Sequence, residues 1–385
     1  MKKNPKQQIA GAIHALYDNI FKLAPLQNAI FFESIPDLSD NTKAVFDEMI
    51  RRGLNERCKL FYMVSDASII ASQPKVKNVY YVQHRLKDLF YQFYLRTAKC
   101  LICCNEFFPK YRDDQTIFYL SHGSPIKSVR NYYNAPRWID YHLAASAAMV
   151  PHCAYEFNAP EDRFFSLGFP RNDILTSACR DLKPLFPEAD FDKVIVWYPT
   201  YRQTKYGMSV GGSSLPVIHD EINAAALNET AKANRVLLVL KPHFVQDVSY
   251  VKDLGLSNIM FIDDRFFAKN HISSYEFVGS CDAMITDYSS IYYDYTLCDK
   301  PVALVWEDVE EYKKSPGFSP GIDPYLDGGE KVYDLPQLQD FVCRVAQGED
   351  PLRDIRRTVR DQVNHAADGK NACRVVDYII EKANL

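Results

Sequence analysis

The sequence predicts an α/β protein of two domains, each a parallel sheet wrapped by helices, facing each other across a cleft. Three observations carry that prediction. Short apolar runs rich in aromatic and β-branched residues recur along the chain with amphipathic stretches between them, which is the rhythm of βαβ units. A charged, two-proline stretch at 182–192 (LKPLFPEADFD) interrupts that rhythm once, after which it restarts. The length of 385 residues is too great for one ordinary core and suits two.

The elements follow in order. Residues 1–27 predict a helix with Ile9, Ile13, Leu16, Ile20, Phe21 and Leu23 on roughly one face. Such a helix packs on a domain or lies at a membrane surface, the latter aided by Lys2, Lys3 and Lys6. The first domain, 28–181, carries the apolar runs 29–34, 59–64, 78–83, 99–104, 116–121, 141–146 and 164–169, short enough for buried strands. Helical patterns fall at Asn41 to Arg52, capped by Ser39 or Asp40, and at Leu86 to Arg96. Residues 182–192 read as a linker. The second domain, 193–366, carries the runs 194–199, 235–242, 259–263, 283–288 and 301–306, and a helix closes the chain at 367–385. Ligands of open α/β sheets bind beyond the carboxyl ends of the strands, where the polar motifs of this sequence fall.

Composition narrows the function. With 47% hydrophobic and 24% charged residues the chain is globular. A balance of 45 basic against 49 acidic side chains gives a net charge of −4 and excludes a broad polycationic face for nucleic acid. No run of 18 apolar residues predicts a membrane span, and the amino terminus lacks the pattern of an export signal. Ten cysteines are too sparse for a disulfide scaffold; Cys100, Cys103, Cys104, Cys281 and Cys298 lie in apolar runs and read as reduced core residues of a cytoplasmic protein. Cys100 and Cys103 form a CxxC with no second pair at zinc spacing, so no metal site is expected there. Walker A, GxGxxG and GxSxG patterns are absent, which argues against a nucleoside triphosphatase, a standard dehydrogenase and an α/β-hydrolase. Asp113–Asp114 and Asp263–Asp264 are the acidic pairs available for a metal-bound diphosphate, and each reads better as a solvated loop.

The candidate chemistry sits at strand ends. In YLSHGSPIKS (119–128), His122 suits a general base, Gly123 admits close backbone approach, and Ser124 and Lys127 can donate to an anion. In KPH (241–243), Lys241 and His243 end a strand of the second domain, so two histidines would meet across the cleft. In ITDYSSIYYDY (285–295), Thr286, Asp287, Ser289 and Ser290 lead into a helix, a setting that either binds phosphate or is plainly capped by Asp287 or Ser289. YPTYR (198–202) offers Thr200 and Arg202 to a phosphate. GFPRND (168–173) offers Arg171, Asn172 and Asp173 to a polyol or phosphate, or serves as a hinge turn.

Taken together, these stretches resemble the CDP-glycerol glycerophosphotransferase family of teichoic-acid and capsule synthesis. The resemblance covers roughly residues 28–383 and also rests on FFESIPDLSDN (31–41), YLRTAKCLICC (94–104) and DGKNACRVVDYI (368–379). It implies a GT-B fold of two Rossmann-like domains and transfer of an alditol phosphate from a CDP-activated donor to an acceptor hydroxyl, with release of CMP. It implies that His122 is the base, that His243 acts on the diphosphate, and that Thr286, Asp287, Ser289, Ser290 and Arg202 face the donor. It further implies a lipid-linked glycan or polyol-phosphate acceptor, action at the inner face of the membrane, and no obligatory metal or cofactor. The family more often carries HGTP where this chain has Ser124, and often shows an Arg-x-His-Pro order where it has Lys241-Pro242-His243. The competing readings are transfer of ribitol phosphate, a GT-B glycosyltransferase using a nucleotide sugar, and a binding protein without turnover.

Overall fold

Seven strands form the first sheet: β1 (Gln27–Glu33), β2 (Lys59–Met63), β3 (Val79–Val82), β4 (Ala98–Cys103), β5 (Thr116–Tyr119), β6 (Tyr141–Ala144) and β7 (Phe164–Ser166). Their spatial order is β3-β2-β1-β4-β5-β6-β7. Six form the second: β8 (Lys193–Trp197), β9 (Val236–Leu240), β10 (Ile259–Phe261), β11 (Ala283–Thr286), β12 (Val302–Val305) and β13 (Glu330–Val332), in the order β10-β9-β8-β11-β12-β13. Every strand pairing among the described residues is parallel. This computed structural model describes residues 5–83, 86, 88–131, 134–200, 215–242 and 248–385.

Parallel strands covered on both faces must be apolar throughout, and these are. Ile30, Phe31 and Phe32 of β1 are fully buried in succession, and Phe31 stacks on Phe61 of β2 at 4.5 Å between ring centroids. The strand order reverses between β1 and β4 and again between β8 and β11. Such switch points open a crevice at the carboxyl ends.

The structure departs from the sequence expectation in three places and shows where the closing helix, expected at 367–385, packs. The apolar runs overshoot the strands at their carboxyl ends: 116–121 stops as a strand at Tyr119, and Ser121 adopts φ +57°. The backbone leaves the ladder there to build a functional loop. β13 was not expected; a short edge strand of sequence EKV carries too little apolar signal. The 182–192 stretch is not a free tether. Leu182, Phe186 and Phe191 are buried, and Arg235 pairs with both Asp190 and Asp192. The closing helix, Asn371–Ala383, crosses back to the first domain, where Val375, Val376 and Ile379 pack with Ile30, Phe32 and Phe46.

The amino-terminal helix, Pro5–Phe21, also packs on the first domain, against the helix Leu89–Thr97. Asp18 pairs with the buried Arg96 at 2.7 Å, and Phe21 meets Phe93 edge to face at 5.4 Å. Ile13 and Phe21 are half-buried, whereas Ile9, Leu16, Ile20 and Leu23 are exposed and share an outward stripe.

Candidate active site

β5 delivers the first half of the site. Beyond Tyr119 the chain turns through Ser121 and presents His122, Gly123 and Ser124. Asn41, at the start of the helix Asp40–Arg51, holds this turn with its amide on the carbonyls of Leu120 (3.1 Å) and Ser121 (2.9 Å). His122 Nδ1 lies 3.4 Å from the carbonyl oxygen of Cys104. A carbonyl can only accept, so the contact assigns the proton to Nδ1 and the lone pair to Nε2. Although one side of His122 opens to solvent, the protein crowded around the ring pushes its pKa below 6.5. Asp40 opposes this shift and Arg171 reinforces it. A neutral imidazole near pH 7 is the form a general base requires.

β8 and β11 deliver the second half. Thr286 Oγ1 donates to the carbonyl of Tyr198 at 2.8 Å and ties the two strand ends together. Asp287 is buried. Its carboxylate accepts from the amide of Thr200 (2.9 Å), the hydroxyl of Thr200 and the amide of Tyr288 (2.6 Å). This corrects the capping expectation. The helix begins at Ile291 with Ser290 at the cap position and no side-chain cap, because Asp287 is committed to Thr200. Among the described residues, Ser289 Oγ makes a 3.5 Å contact with the amide of Ile291.

The halves meet at two points. Gly123 has φ +153°, and a Cβ built on it would lie 2.4 Å from Ser290 Oγ; only glycine lets the two loops approach so closely. Further along, Lys127 forms an antiparallel bridge with Phe318, and Ser319 N donates to the carbonyl of Ile126 at 2.8 Å. The 315–319 segment therefore belongs to the cleft. Two donors remain unspent here among the described residues. Ser124 Oγ is buried without a partner, and Lys127 Nζ feels the charge of Asp287 without a side-chain hydrogen bond. Burial pushes the Lys127 ammonium pKa down and the charge of Asp287 pulls it back up. Lys241 sits at the end of β9, 3.0 Å from Asp264 and beside the Tyr198 ring. Arg202 and His243 lie outside the described residues.

The GFPRND turn works as a joint between the domains. Arg171 donates through Nη1 to Asp40 and to the carbonyl of His122, both at 2.8 Å, and through Nη2 to Asp294 of the second domain at 2.8 Å. Asn172 donates to the other oxygen of Asp294 at 2.8 Å, and Tyr275 OH to Oδ2 at 2.7 Å. Asp173 accepts from the amides of Asn371 and Ala372, both at 2.8 Å, and so caps the closing helix. All three side chains are thus engaged within the protein. Of the acidic pairs, Asp114 binds Arg112, Asp263 caps the helix Asp264–Asn270, and Asp264 holds Lys241.

Residues 17–381 match the family model for CDP-glycerol:poly(glycerophosphate) glycerophosphotransferase. The chain belongs to that family. It is 24% identical over 400 residues to the teichoic acid ribitol-phosphate primase of Bacillus spizizenii, covering 96% of each chain. It is 24% identical over 351 residues to the teichoic acid glycerol-phosphate transferase of Staphylococcus aureus, covering 81% of this chain and 82% of that one. Among solved structures, the wall teichoic acid polymerase TagF superposes with a TM-score of 0.75 at 20% identity, over 98% of this chain and 95% of that chain. A putative UDP-N-acetylglucosamine 2-epimerase from Listeria monocytogenes superposes at 0.55. The GT-B architecture expected from the sequence is therefore the fold.

Within this glycerophosphotransferase-family enzyme, sequence reasoning missed Asp40, Tyr275, Asp294 and the carbonyl of Cys104. Asp294 had one visible signal, a lone carboxylate in the aromatic run IYYDY. Such a group is buried only with a partner. Asp40 adopts φ +62° beside the site, which nothing in its sequence context announces.

Proposed function

We propose that the chain transfers glycerol phosphate from CDP-glycerol to a hydroxyl of a lipid-linked acceptor in teichoic-acid-type polymer synthesis. In this reaction the acceptor oxygen attacks the phosphorus that bears glycerol. The bridging P–O bond breaks, CMP departs with the electron pair, and the acceptor proton passes to His122 Nε2. The observation that carries the reading is the approach of the His122–Gly123 loop to Ser290 across the cleft, with Ser124 Oγ and Lys127 Nζ unspent beside it. Phosphoryl transfer needs positioning and charge stabilisation more than covalent help, and these donors supply both. Family resemblance adds Arg202 as a phosphate contact and His243 as the group that stabilises the departing phosphate. Thr286 and Asp287 act by shaping the donor loop, and Lys241 by lending charge at its rim. With phosphate charge met by these side chains, a divalent metal is not obligatory.

A second reading, ribitol phosphate from CDP-ribitol, is favoured by the alignment with the ribitol-phosphate primase over nearly the whole of both chains. A donor panel of CDP-glycerol, CDP-ribitol, UDP-sugars and GDP-sugars, read out by released nucleotide, tests both. CMP release with one CDP-alditol, unchanged by EDTA, is the expected result. Nucleotide release from a sugar donor alone would reject both readings.

No helix among the described residues is long and apolar enough to cross a membrane. The outward stripe of Ile9, Leu16, Ile20 and Leu23 supports peripheral docking on the membrane that carries the acceptor, at its inner face. Replacing Ile9, Leu16 and Ile20 by lysine is expected to reduce co-sedimentation with uncharged lipid vesicles while leaving CMP release to a soluble acceptor intact. Equal pelleting would remove the stripe from the account.

A further inference from the structure

A groove of about 490 Å³ runs between the amino-terminal helix, the helix Leu89–Thr97 and the segment after β4. Glu33, at the carboxyl end of β1, lies in its wall with Met63, Tyr91, Glu106, Phe107 and Tyr111. Glu33 is only 8% exposed. Its Oε2 accepts from the amides of Cys104 and Asn105 at 3.3 Å and of Glu106 at 3.1 Å. Its Oε1 is buried and has no hydrogen-bond partner among the described residues. A buried carboxyl oxygen left unmet is costly, and a hydroxyl entering the groove would meet it.

The walls decide which kind of hydroxyl compound fits. The cations there are already engaged. Arg96 donates to Asp18 and Gln92 and touches His14, and Lys110 Nζ holds both oxygens of Asp140 at 2.8 and 3.0 Å. The acidic groups Glu33 and Glu106 remain, so a phosphate would be repelled. Phe107 and Tyr111, backed by the buried Tyr91, offer aromatic surface to the C–H faces of a ring. Burial raises the Glu33 pKa to about 7, so near neutrality the carboxyl can donate or accept, and a hydroxyl can answer either way.

The groove is also coupled to the base. Cys104, whose amide Glu33 holds, gives its carbonyl to His122 Nδ1. One residue, Cys104, thus joins the groove wall to the base.

We propose that this groove is an acceptor subsite for a neutral, hydroxyl-rich, sugar-like group, with Glu33 Oε1 as its anchor. The inference rests on the transferase reading and adds the acceptor's chemistry: an uncharged ring rather than the phosphate-bearing end of a polyol chain.

Equilibrium titration of the full chain without donor tests it, using octyl glucoside and octyl maltoside below their micelle thresholds and octyl glycerol phosphate as the anionic probe. The neutral glycosides are expected to bind more tightly than the anionic probe. At pH 8.5, where Glu33 is ionised, Glu33→Gln should weaken glycoside binding about tenfold, because an uncharged amide replaces the charged acceptor. Met63→Trp, which adds bulk to the groove wall at the end of β2, should do the same. Affinity for CDP-glycerol should hold in both. Preference for the anionic probe, no binding of either glycoside, or normal glycoside affinity in either folded variant overturns the proposal. Should Glu33→Gln not fold, Met63→Trp decides. Since no turnover is read, a chain that binds glycosides through Glu33 yet releases no CMP would reject the transferase reading and leave the subsite standing.

Discussion

His122→Ala is expected to slow CMP release by about 10²–10⁴-fold, the range that general-base assistance supplies. Donor affinity, measured by titration with CDP-glycerol, should stay near that of the unaltered chain. The reason is a division of labour. In the proposed reaction donor contacts come from Ser124, Lys127 and the loop at Ser290, whereas His122 contributes a lone pair at Nε2 whose tautomer is set from behind by the Cys104 carbonyl. The pH profile gives a second readout. Crowding around the ring holds its pKa below 6.5, so the active neutral form persists to lower pH than in a free histidine. The acid limb of kcat/KM should therefore fall below pH 6.5 and vanish in His122→Ala. An unchanged acid limb in the variant would assign the base to another group.

The sheets were legible because their physics is local. Strands buried on both faces must be apolar without a break, and IFF at 30–32, LLVL at 237–240 and AMI at 283–285 announce themselves. The loops at their ends were legible as places where charged and small residues interrupt such runs. What stayed hidden depends on distant partners. Asp173 looks like a turn residue, and only the return of the chain at Asn371 reveals it as a helix cap. Asp287 looks like an N-cap, but β8 lies beside β11 and Thr200 arrives to claim it. The amino-terminal helix shows six apolar residues; which of them turn inward is decided by Arg96 and Phe93, some eighty residues away. Helical periodicity reports that an element is amphipathic, not which edge of its apolar stripe finds a protein partner.

Arg171 is where stability and catalysis are expected to fail together. Its guanidinium bridges Asp40 of one domain and Asp294 of the other, with side chains 10%, 14% and 2% exposed respectively. Removing one member of a buried charge network leaves the others uncompensated, so Arg171→Ala should cost about 3–5 kcal/mol in denaturant unfolding. Two carboxylates would then repel each other across the cleft. The carbonyl of His122 would lose its donor, and the approach of Gly123 to Ser290 its fixed geometry. Turnover should drop further than the folded fraction accounts for. The paired change Asp294→Asn in the Arg171→Ala background separates charge from shape. It relieves the repulsion and should recover part of the stability, because an uncharged side chain tolerates burial better than an orphaned carboxylate. It should not recover turnover, because no group then donates to the His122 carbonyl. Recovery of both would mean that Arg171 serves only to neutralise Asp294. Recovery of neither would mean that the joint depends on the shape of the guanidinium, wedged between the rings of Phe169 and Tyr275 at 5.4 and 5.2 Å.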